Sequence, residues 1–238
     1  MKILAIDTAT EACSAALYIE GAPDEGITSE YQLAPREHSR LILKMIDRLL
    51  SQAEMTVNEL DAIAFGRGPG SFMGLRIAAG VVQGIAFAHD IPVIPVSTLK
   101  AIAQRAHELT GKEHVLAAID ARMDEVYWAS YSLTAKQWSL NGEERVVSPD
   151  KLHLAEILSG QEKNWVAAGT GWASYADRLL RDADLELLTR LDDCFPSAEV
   201  IAWLAIEELK AGNTVPAAEA IPVYLRNDVA KKPKPFVF

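Results

Sequence analysis

The alternation of apolar and polar residues in the first half of the chain predicts a mixture of strands and helices. Short apolar runs bounded by polar turns are typical of strands, and they occur at residues 3–6, 62–65 and 93–96. A further strand is expected at residues 27–33, after the first hairpin. Apolar residues with helical spacing occupy residues 35–53, 71–88 and 97–109. Pro35 suits a first helical turn, Ser71 an N-terminal cap and Gly111 a helix stop. The order of these elements predicts an α/β fold.

The strand and turn at the start of the chain recur near its middle. IDTATEACSAALY begins at Ile6-Asp7, and IDARMDEVYWASY begins at Ile119-Asp120. Each segment follows an apolar run and leads from a polar turn into a β-prone run, which predicts two β-hairpins. We therefore expect two lobes of similar topology, residues 1–110 and 111–238, each a mixed sheet flanked by helices.

After its hairpin, the second half predicts fewer elements. A strand is expected near residues 143–147, a helix opens at Ser148-Pro149, and a strand at 165–168 enters Gly169-Thr170-Gly171. A last helix spans about residues 197–210. The tail, which carries Pro216, Pro222, Pro233, Pro235 and three lysines, is expected to be extended or mobile.

Composition and charge exclude several classes of function for this chain. The formal net charge is −10 and the pI is near 5.0, which disfavours direct binding of RNA or DNA by this chain. The two cysteines, Cys13 and Cys194, exclude a disulfide framework and a cysteine-rich zinc site. Asp7 interrupts the N-terminal apolar run too early for a signal peptide, and the apolar stretch at 77–88 is too short to span a bilayer. We expect a cytoplasmic protein without a membrane association.

The turn after each repeated Ile-Asp pair carries groups that could hold a phosphate. Asp7, Thr8 and Thr10 offer a carboxylate and two hydroxyls. A hairpin turn with these groups can hold a phosphate and a magnesium-bound water. Asp120 takes the equivalent place in the second copy. The alternative is that Asp7 only shapes the turn by bonding to its own backbone. Both interpretations stay open.

The glycine-rich run before the second helix is a candidate anion loop. Gly68, Gly70 and Ser71 lie where free backbone N–H groups and the positive end of a helix dipole would meet a ligand. The run matches neither the P-loop nor the dinucleotide-binding fingerprint. A tight connection, in which the glycines only allow close packing, explains it equally well.

Catalytic metal and nucleophile patterns do not occur in the sequence. No two of the five histidines have the three- or four-residue spacing that places both imidazoles on one helix face. The order around Ser71 is Gly-Ser-Phe-Met-Gly, which is not the serine elbow of hydrolases.

The first two helices are more apolar than one buried side requires. On the first helix the apolar positions spread over roughly 200°, and Ile42, Ile46, Leu49 and Ala53 form the expected core stripe. The second helix is apolar nearly all round, with Gly80, Gly84 and Ala88 along one flank. We expect a partner to cover a surface made of Leu41, Lys44, Met45, Arg48, Phe72, Arg76 and Gln83. Met45→Glu should then weaken association and leave the fold intact. The alternative is that the sheet and the second lobe cover both helices.

Several motifs, in order along almost the whole chain, resemble the bacterial TsaB (YeaZ) family. They are MKILAIDTATEACSAALY, PREHS, GRGPGSFMGLRIAAG, AAIDARMDEVYWA and PVYLRNDVA. The resemblance implies a duplicated actin-like fold (ASKHA, RNase H-like), in agreement with the repeat. It also implies a non-catalytic subunit that forms a heterodimer with TsaD, works with the small ATPase TsaE, and can form a homodimer when alone.

The activity that the resemblance implies is formation of threonylcarbamoyladenosine (t6A). TsaD transfers threonylcarbamoyl from threonylcarbamoyl-AMP to N6 of adenosine 37 in tRNAs that read ANN codons. ATP is used through the partners and tRNA is met only through the complex, so we expect no tightly bound cofactor and no metal on this chain. An older label for the same family is that of a peptidase.

Three departures bear on chemistry. The chain has no H-x-x-x-H pair of the kind that holds the TsaD metal, and Met73 replaces the threonine of the family motif GPGSFTG. Arg122 and Met123 stand where actin-like ATPases have glycines, and they should crowd a phosphate beside Asp120. The competing functions are an autonomous ATPase or small-molecule kinase that uses Asp7 and Asp120, and a peptidase, for which no nucleophile–base set is present. Magnesium-dependent ATP hydrolysis that Asp7→Ala abolishes would favour the ATPase.

Overall fold

Two mixed β-sheets, each with helices on both faces, make up the protein. The computed structural model describes residues 1–23, 26–158, 165–182 and 189–226. The first sheet is built from strands in the order β3-β2-β1-β4-β5, and the second from β11-β10-β6-β7-β8, with β9 also paired to β7. The sequence-based prediction of an α/β fold is confirmed.

Lobe 1 is the first sheet with the helices on its outer face. Its strands are β1 (Lys2–Asp7), β2 (Ala12–Ile19), β3 (Ile27–Leu33), β4 (Ala62–Gly68) and β5 (Val93–Ser97). Its outer helices are α1 (His38–Gln52) and α2 (Phe72–His89), and α3 (Thr98–Thr110) follows β5. Strands β1, β2 and β3 are antiparallel neighbours, whereas β1, β4 and β5 are parallel.

Lobe 2 repeats this plan with a longer first hairpin and shorter outer helices. Its strands are β6 (His114–Arg122), β7 (Glu125–Thr134), β8 (Gln137–Leu140), β9 (Arg145–Val147), β10 (Trp165–Ala168) and β11 (Thr189–Leu191). Its helices are α4 (Leu154–Leu158) and α5 (Thr170–Leu179), and α6 (Ala198–Lys210) follows β11. Strand β6 pairs antiparallel with β7 and parallel with β10, as β1 does with β2 and β4. The duplication predicted from the repeated hairpin is therefore confirmed.

Alternating strand residues divide each sheet between two apolar cores. In lobe 1, Leu4 and Ile6 of β1 face α1 and α2, whereas Ile3 and Ala5 face α6. In lobe 2, one face packs on α4 and α5 and the other on α3. Helices α3 and α6 thus lie between the two sheets. The two cores do not follow the boundary at residue 110. Helix α3, which precedes that boundary, packs in the core of the second sheet, and α6, which follows it, packs in the core of the first.

The chain then returns to lobe 1 through residues 214–226, an irregular segment with a 3-10 turn at Ala217–Glu219, which we call the C-terminal strap. Val215 exchanges two backbone hydrogen bonds with Val93 of β5, and the N–H of Val223 donates to the carbonyl of Arg67. At its end Arg226 forms an ion pair with Glu125 of lobe 2, at 2.6 Å. The expectation of an extended or mobile tail is met only in part, because this segment contains the 3-10 turn and is held by hydrogen bonds, while Pro233, Pro235 and the three tail lysines lie outside the described residues.

Several short elements differ from the sequence-based prediction. Strands β8 and β11 and helix α5 were not predicted, because each is short or lacks an apolar period of its own. The helix expected at Ser148-Pro149 is a 3-10 turn, Pro149–Lys151, followed by the five-residue α4. Helix α1 starts at His38 instead of Pro35, since Arg36 adopts a left-handed φ of 70° that no α-helix contains.

Candidate functional site in the paired turns and on α2

Asp7, at the end of β1, is sealed from solvent. Its side chain is 0% exposed, Oδ1 accepts a hydrogen bond from the N–H of Ala9 at 3.1 Å, and Oδ2 has no partner among the described residues. Burial raises the pKa of this carboxyl from 3.8 to about 7, because the ionised form would lose its hydration. A carboxyl enclosed in this way cannot reach a hydrated magnesium ion in the solvent.

Glycines of the β4–α2 connection provide the enclosure. A β-carbon on Gly66 would lie 1.9 Å from Oδ2 of Asp7, and one on Gly70 would lie 2.3 Å from the carbonyl oxygen of Ala9. A β-carbon on Gly74 would lie 1.9 Å from the carbonyl oxygen of Thr8. Any side chain at these three positions would push the connection away from the β1–β2 turn. The glycines therefore serve close packing.

The polar groups of this region bond to one another. The N–H of Ser71 donates to the carbonyl of Ala9 at 2.7 Å, and the Ser71 hydroxyl accepts the N–H of Gly74 at 3.3 Å. The Thr8 hydroxyl donates to the carbonyl of Gly74 at 2.7 Å, and that of Thr10 accepts the N–H of Ala12 at 3.4 Å. These contacts favour the packing alternative for the glycine loop, and the anion-loop interpretation of Gly68, Gly70 and Ser71 stays a prediction. Thr8 and Thr10 likewise shape the turn.

The second turn, at Asp120, is occupied by an arginine. Oδ1 of Asp120 accepts the N–H of Arg122 at 2.8 Å, and Oδ2 accepts its guanidinium at 3.0 Å. The same guanidinium lies 3.8 Å from Glu11 in the β1–β2 turn, so Arg122 stands between the turns of the two lobes. Crowding by Arg122 agrees with the expectation from the sequence. Crowding by Met123 does not, because that side chain is 71% exposed.

Helix α2 presents an uncharged face to solvent. The face consists of Met73, Ile77, Gly80, Gly84 and Phe87, and Met73 and Phe87 are 63% and 81% exposed. A β-carbon on Gly80 or Gly84 would meet nothing within 4 Å, so the middle of the face is open. We call these five residues the α2 face. Contiguous apolar surface on a soluble protein is a candidate binding surface, and the α2 face is therefore the candidate docking surface of this chain.

Length and composition alone would also let α2 cross a membrane, contrary to the expectation drawn from residues 77–88. The helix has 18 residues with a mean hydropathy of 1.3, and 33% of them are buried. The buried part packs on β4 and the core of lobe 1, where Leu75, Ala78 and Val82 are at most 1% exposed. Through these contacts one side of α2 forms part of the core of lobe 1.

Of the four interface residues predicted on α1, Met45 is buried, Leu41 is half-buried, and Arg48 is exposed but paired with a carboxylate of the same chain. Met45 is 2% exposed, and the thiol of Cys13 lies 3.9 Å from its sulfur. Met45 is therefore a core residue, and its assignment to the partner surface is wrong. Leu41 is half-buried against the same core, and Arg48 forms a bidentate ion pair with Glu30 of β3. Lys44 remains exposed.

The error has a geometric cause. The buried side of α1 includes His38, Ile42, Met45, Ile46, Leu49 and Leu50, an arc much wider than the four-residue stripe used for the prediction. Leu43 is the large apolar side chain that α1 exposes, at 56%, and the prediction missed it. Its position about 100° round the helix from Ile42 gave no separate signal, because Leu50, about 80° from Ile42 on the same side, is buried.

The predicted residues on α2 lie on the flank of the α2 face, toward the C-terminal strap. The amide of Gln83 donates to the carbonyl of Ala220 at 3.1 Å, which uses this side chain within the protein. Nε of Arg76 donates to the hydroxyl of Tyr224 at 3.2 Å, and the ring of Phe72 lies 5.5 Å from that of Tyr224. Phe72 and Arg76 remain exposed.

Comparisons with known proteins place the chain in a family. The model of the family TsaD, tRNA N6-adenosine threonylcarbamoyltransferase, matches residues 25–234. The tRNA threonylcarbamoyladenosine biosynthesis proteins TsaB of Escherichia coli K12 and Haemophilus influenzae are each 42% identical to it, over 99% of this chain and 99% and 98% of theirs. The solved structure of YeaZ from Pseudomonas aeruginosa superposes with a TM-score of 0.83 at 44% identity, over 94% of this chain and 99% of that one. This chain belongs to the TsaB (YeaZ) branch of the TsaD family, with its duplicated actin-like fold.

Proposed function

We propose that this chain is the non-catalytic subunit that docks on the TsaD transferase during t6A formation. In that reaction TsaD, with TsaE, moves threonylcarbamoyl from threonylcarbamoyl-AMP to N6 of adenosine 37 in tRNAs that read ANN codons. The names of its full-length relatives support a role in this pathway. The observation that carries the docking role is the uncharged, open α2 face.

The α2 face fits a partner helix better than it fits solvent. Gly80 and Gly84 allow another backbone to approach closely, while Met73 and Phe87 stand on either side as large apolar contacts. Helix α1, which exposes Leu43 and Lys44, packs beside α2 in the same lobe, so two helices can pair with two from the partner in a four-helix arrangement. The same face can pair two copies of this chain when TsaD is absent.

The turns support the absence of a catalytic centre. The groups that an actin-like ATPase would turn toward nucleotide are enclosed at Asp7 and bonded to Arg122 at Asp120. Among the residues that the structure describes, no three His, Cys, Asp or Glu side chains come close enough to hold a metal ion. We infer that the chain binds no nucleotide tightly, that ATP is used by the partners, and that tRNA is held by the assembled complex in the cytoplasm.

Reconstitution of the reaction tests this proposal. Purified TsaD, TsaE, ATP, threonylcarbamoyl-AMP and a tRNA transcript are combined with and without this chain, and t6A is measured by mass spectrometry of the digested tRNA. We expect t6A only when the chain is present, and none from the chain alone. Leu109→Glu, which alters a large exposed residue of α3 outside the α2 face, should support the reaction as the unaltered chain does.

Two results would overturn the proposal. Full t6A formation without this chain would show that TsaD needs no such subunit. Transfer by the chain in the absence of TsaD would show that it holds a catalytic site of its own.

A further inference from the structure

A second exposed cluster lies beside the α2 face, and the C-terminal strap contributes half of it. Phe72, Met73 and Arg76 come from the first turns of α2, and Ile221 and Tyr224 come from the strap. All five side chains are exposed, Ile221 at 61%. We call this set the strap patch. It is rich in the aromatic residues, methionine and arginine that interface centres favour.

Three side chains of the strap patch, Phe72, Arg76 and Tyr224, are already ordered against one another. The guanidinium carbon of Arg76 lies 3.7 Å from the centre of the Phe72 ring, and Nε donates to the Tyr224 hydroxyl at 3.2 Å. The rings of Phe72 and Tyr224 are 5.5 Å apart. An arginine held in this way loses less rotamer entropy when a ligand binds than a free one does.

The strap itself is held along its length, so Ile221 and Tyr224 have a fixed place. Its backbone pairs with β5 at Val215, Ala220 accepts the amide of Gln83, and the N–H of Val223 donates to Arg67. Arg226 closes the strap onto lobe 2 through Glu125. The patch is therefore a preformed surface made of two distant parts of the chain.

Arg76 has unused charge and unused donors. Neither terminal nitrogen of its guanidinium bonds to a described residue, and none of the described carboxylates lies within ion-pair distance of it. Arg48, Arg178 and Arg226, in contrast, each hold a carboxylate at hydrogen-bond distance. An unneutralised guanidinium in a chain of net charge −10 is complementary to a negative group from outside.

We propose that the strap patch binds a segment of the transferase subunit that presents a carboxylate next to an apolar side chain. The carboxylate takes the two terminal nitrogens of Arg76, and the apolar side chain lies against Phe72, Ile221 and Tyr224. This inference rests on the proposed function for the identity of the partner. It adds the C-terminal strap to the partner surface and assigns the chemistry of the contact.

Affinity for purified TsaD, measured by calorimetry at several salt concentrations, tests the inference. We expect Arg76→Gln to weaken binding by tenfold or more and to flatten its salt dependence, and Arg76→Glu to weaken it by a hundredfold or more. Ile221→Asp, at the far side of the patch, should weaken it as well. Arg145→Gln, which alters an exposed arginine of lobe 2 that also has no ion pair among the described residues, should leave affinity unchanged. Thermal unfolding should stay the same in all four variants.

The outcomes separate this inference from the proposed function. If Gly84→Leu, on the α2 face, abolishes binding while Arg76→Glu binds as the unaltered chain does, the partner docks on α2 and the strap-patch inference is overturned. If Arg76→Glu and Arg76→Gln lose affinity equally with no change in salt dependence, the carboxylate is overturned as the ligand. If the unaltered chain shows no affinity for TsaD, the proposed function itself fails.

Discussion

A β-carbon on Gly66 would lie 1.9 Å from the Oδ2 oxygen of Asp7, so the glycine connection of lobe 1 closes directly over the carboxyl that ends β1. This contact explains why position 66 must be glycine, and it also explains why the Asp7 carboxyl has no contact with solvent. An aspartate placed like that of a phosphate-binding turn has become part of the packing between two turns.

The contact predicts a coupling between the two positions. Gly66→Ala should destabilise the protein by about 1–3 kcal/mol, because the methyl group overlaps the Asp7 carboxyl. In an Asp7→Ala background the same change should be at least about 1 kcal/mol milder, since the overlapping oxygens are gone. Urea unfolding of the four proteins measures the cycle. Additive effects would mean that the two residues do not touch.

The raised pKa of Asp7 predicts how stability depends on pH. Its pKa of about 7 in the folded protein exceeds the ordinary 3.8, so the folded state keeps its proton to higher pH than the unfolded state. The contribution of Asp7 to stability is therefore complete below about pH 4 and is lost as the pH rises to about 7, by roughly 4 kcal/mol in total. Asp7→Asn cannot ionise and keeps the acceptor for Ala9.

Urea unfolding of the unaltered chain and Asp7→Asn between pH 5 and 8 checks this. The free energy of unfolding of the variant, minus that of the unaltered chain, should grow with pH up to about 7 and then level off. Subtracting one free energy of unfolding from the other cancels the titration of all groups that the two proteins share. A constant effect of the new amide shifts the difference equally at every pH. A difference that is independent of pH would show that Asp7 ionises normally.

Binding of ATP should be weak or absent. Asp7 is enclosed and Arg122 occupies the oxygens of Asp120, so a triphosphate with magnesium would have to displace a buried contact and an ion pair. Calorimetry with ATP and magnesium should show no micromolar binding. A dissociation constant near 1 μM, equivalent to about −8 kcal/mol, would revive the ATPase interpretation.

Two neighbours on α1 should behave in opposite ways. Met45→Ala should lower the free energy of unfolding by about 2–4 kcal/mol, because it empties core space beside Cys13. Leu43→Ala should change stability by less than about 1 kcal/mol, since that side chain is exposed, and should weaken association with TsaD. Chemical unfolding and a pull-down separate the two effects. A stable Met45→Ala with weakened association would return Met45 to the partner surface.

The features of the fold that could be predicted from the sequence are those that an internal repeat or a hydrophobic period indicates. The hairpins at Asp7 and Asp120, the duplicated lobes and the long helices follow from local patterns that agree with the fold. The exchange of α3 and α6 between lobes could not be predicted in the same way, because a helix that is apolar on one face does not specify which of two sheets it covers.

The candidate site was harder to predict than the fold. The angular spread of apolar residues on α1 could not separate Met45 from Leu43, because the width of the buried arc depends on what packs beside the helix. Nor could the sequence reveal that the C-terminal strap takes up Gln83 and completes the strap patch, since Tyr224 and Phe72 are joined only by the tertiary fold. On α2 the glycine flank was visible in the sequence, and its openness to solvent was not.

The most direct test of the account is the affinity of Gly84→Leu for TsaD, measured beside its thermal stability. A β-carbon at position 84 meets nothing within 4 Å, and leucine favours the helix by about 0.5–1 kcal/mol over glycine, so the variant should fold as well as the unaltered chain or better. The added side chain should hold a partner backbone off the α2 face and weaken binding by a hundredfold or more. A stable Gly84→Leu protein that binds TsaD with unchanged affinity would contradict the assignment of the α2 face as the docking surface.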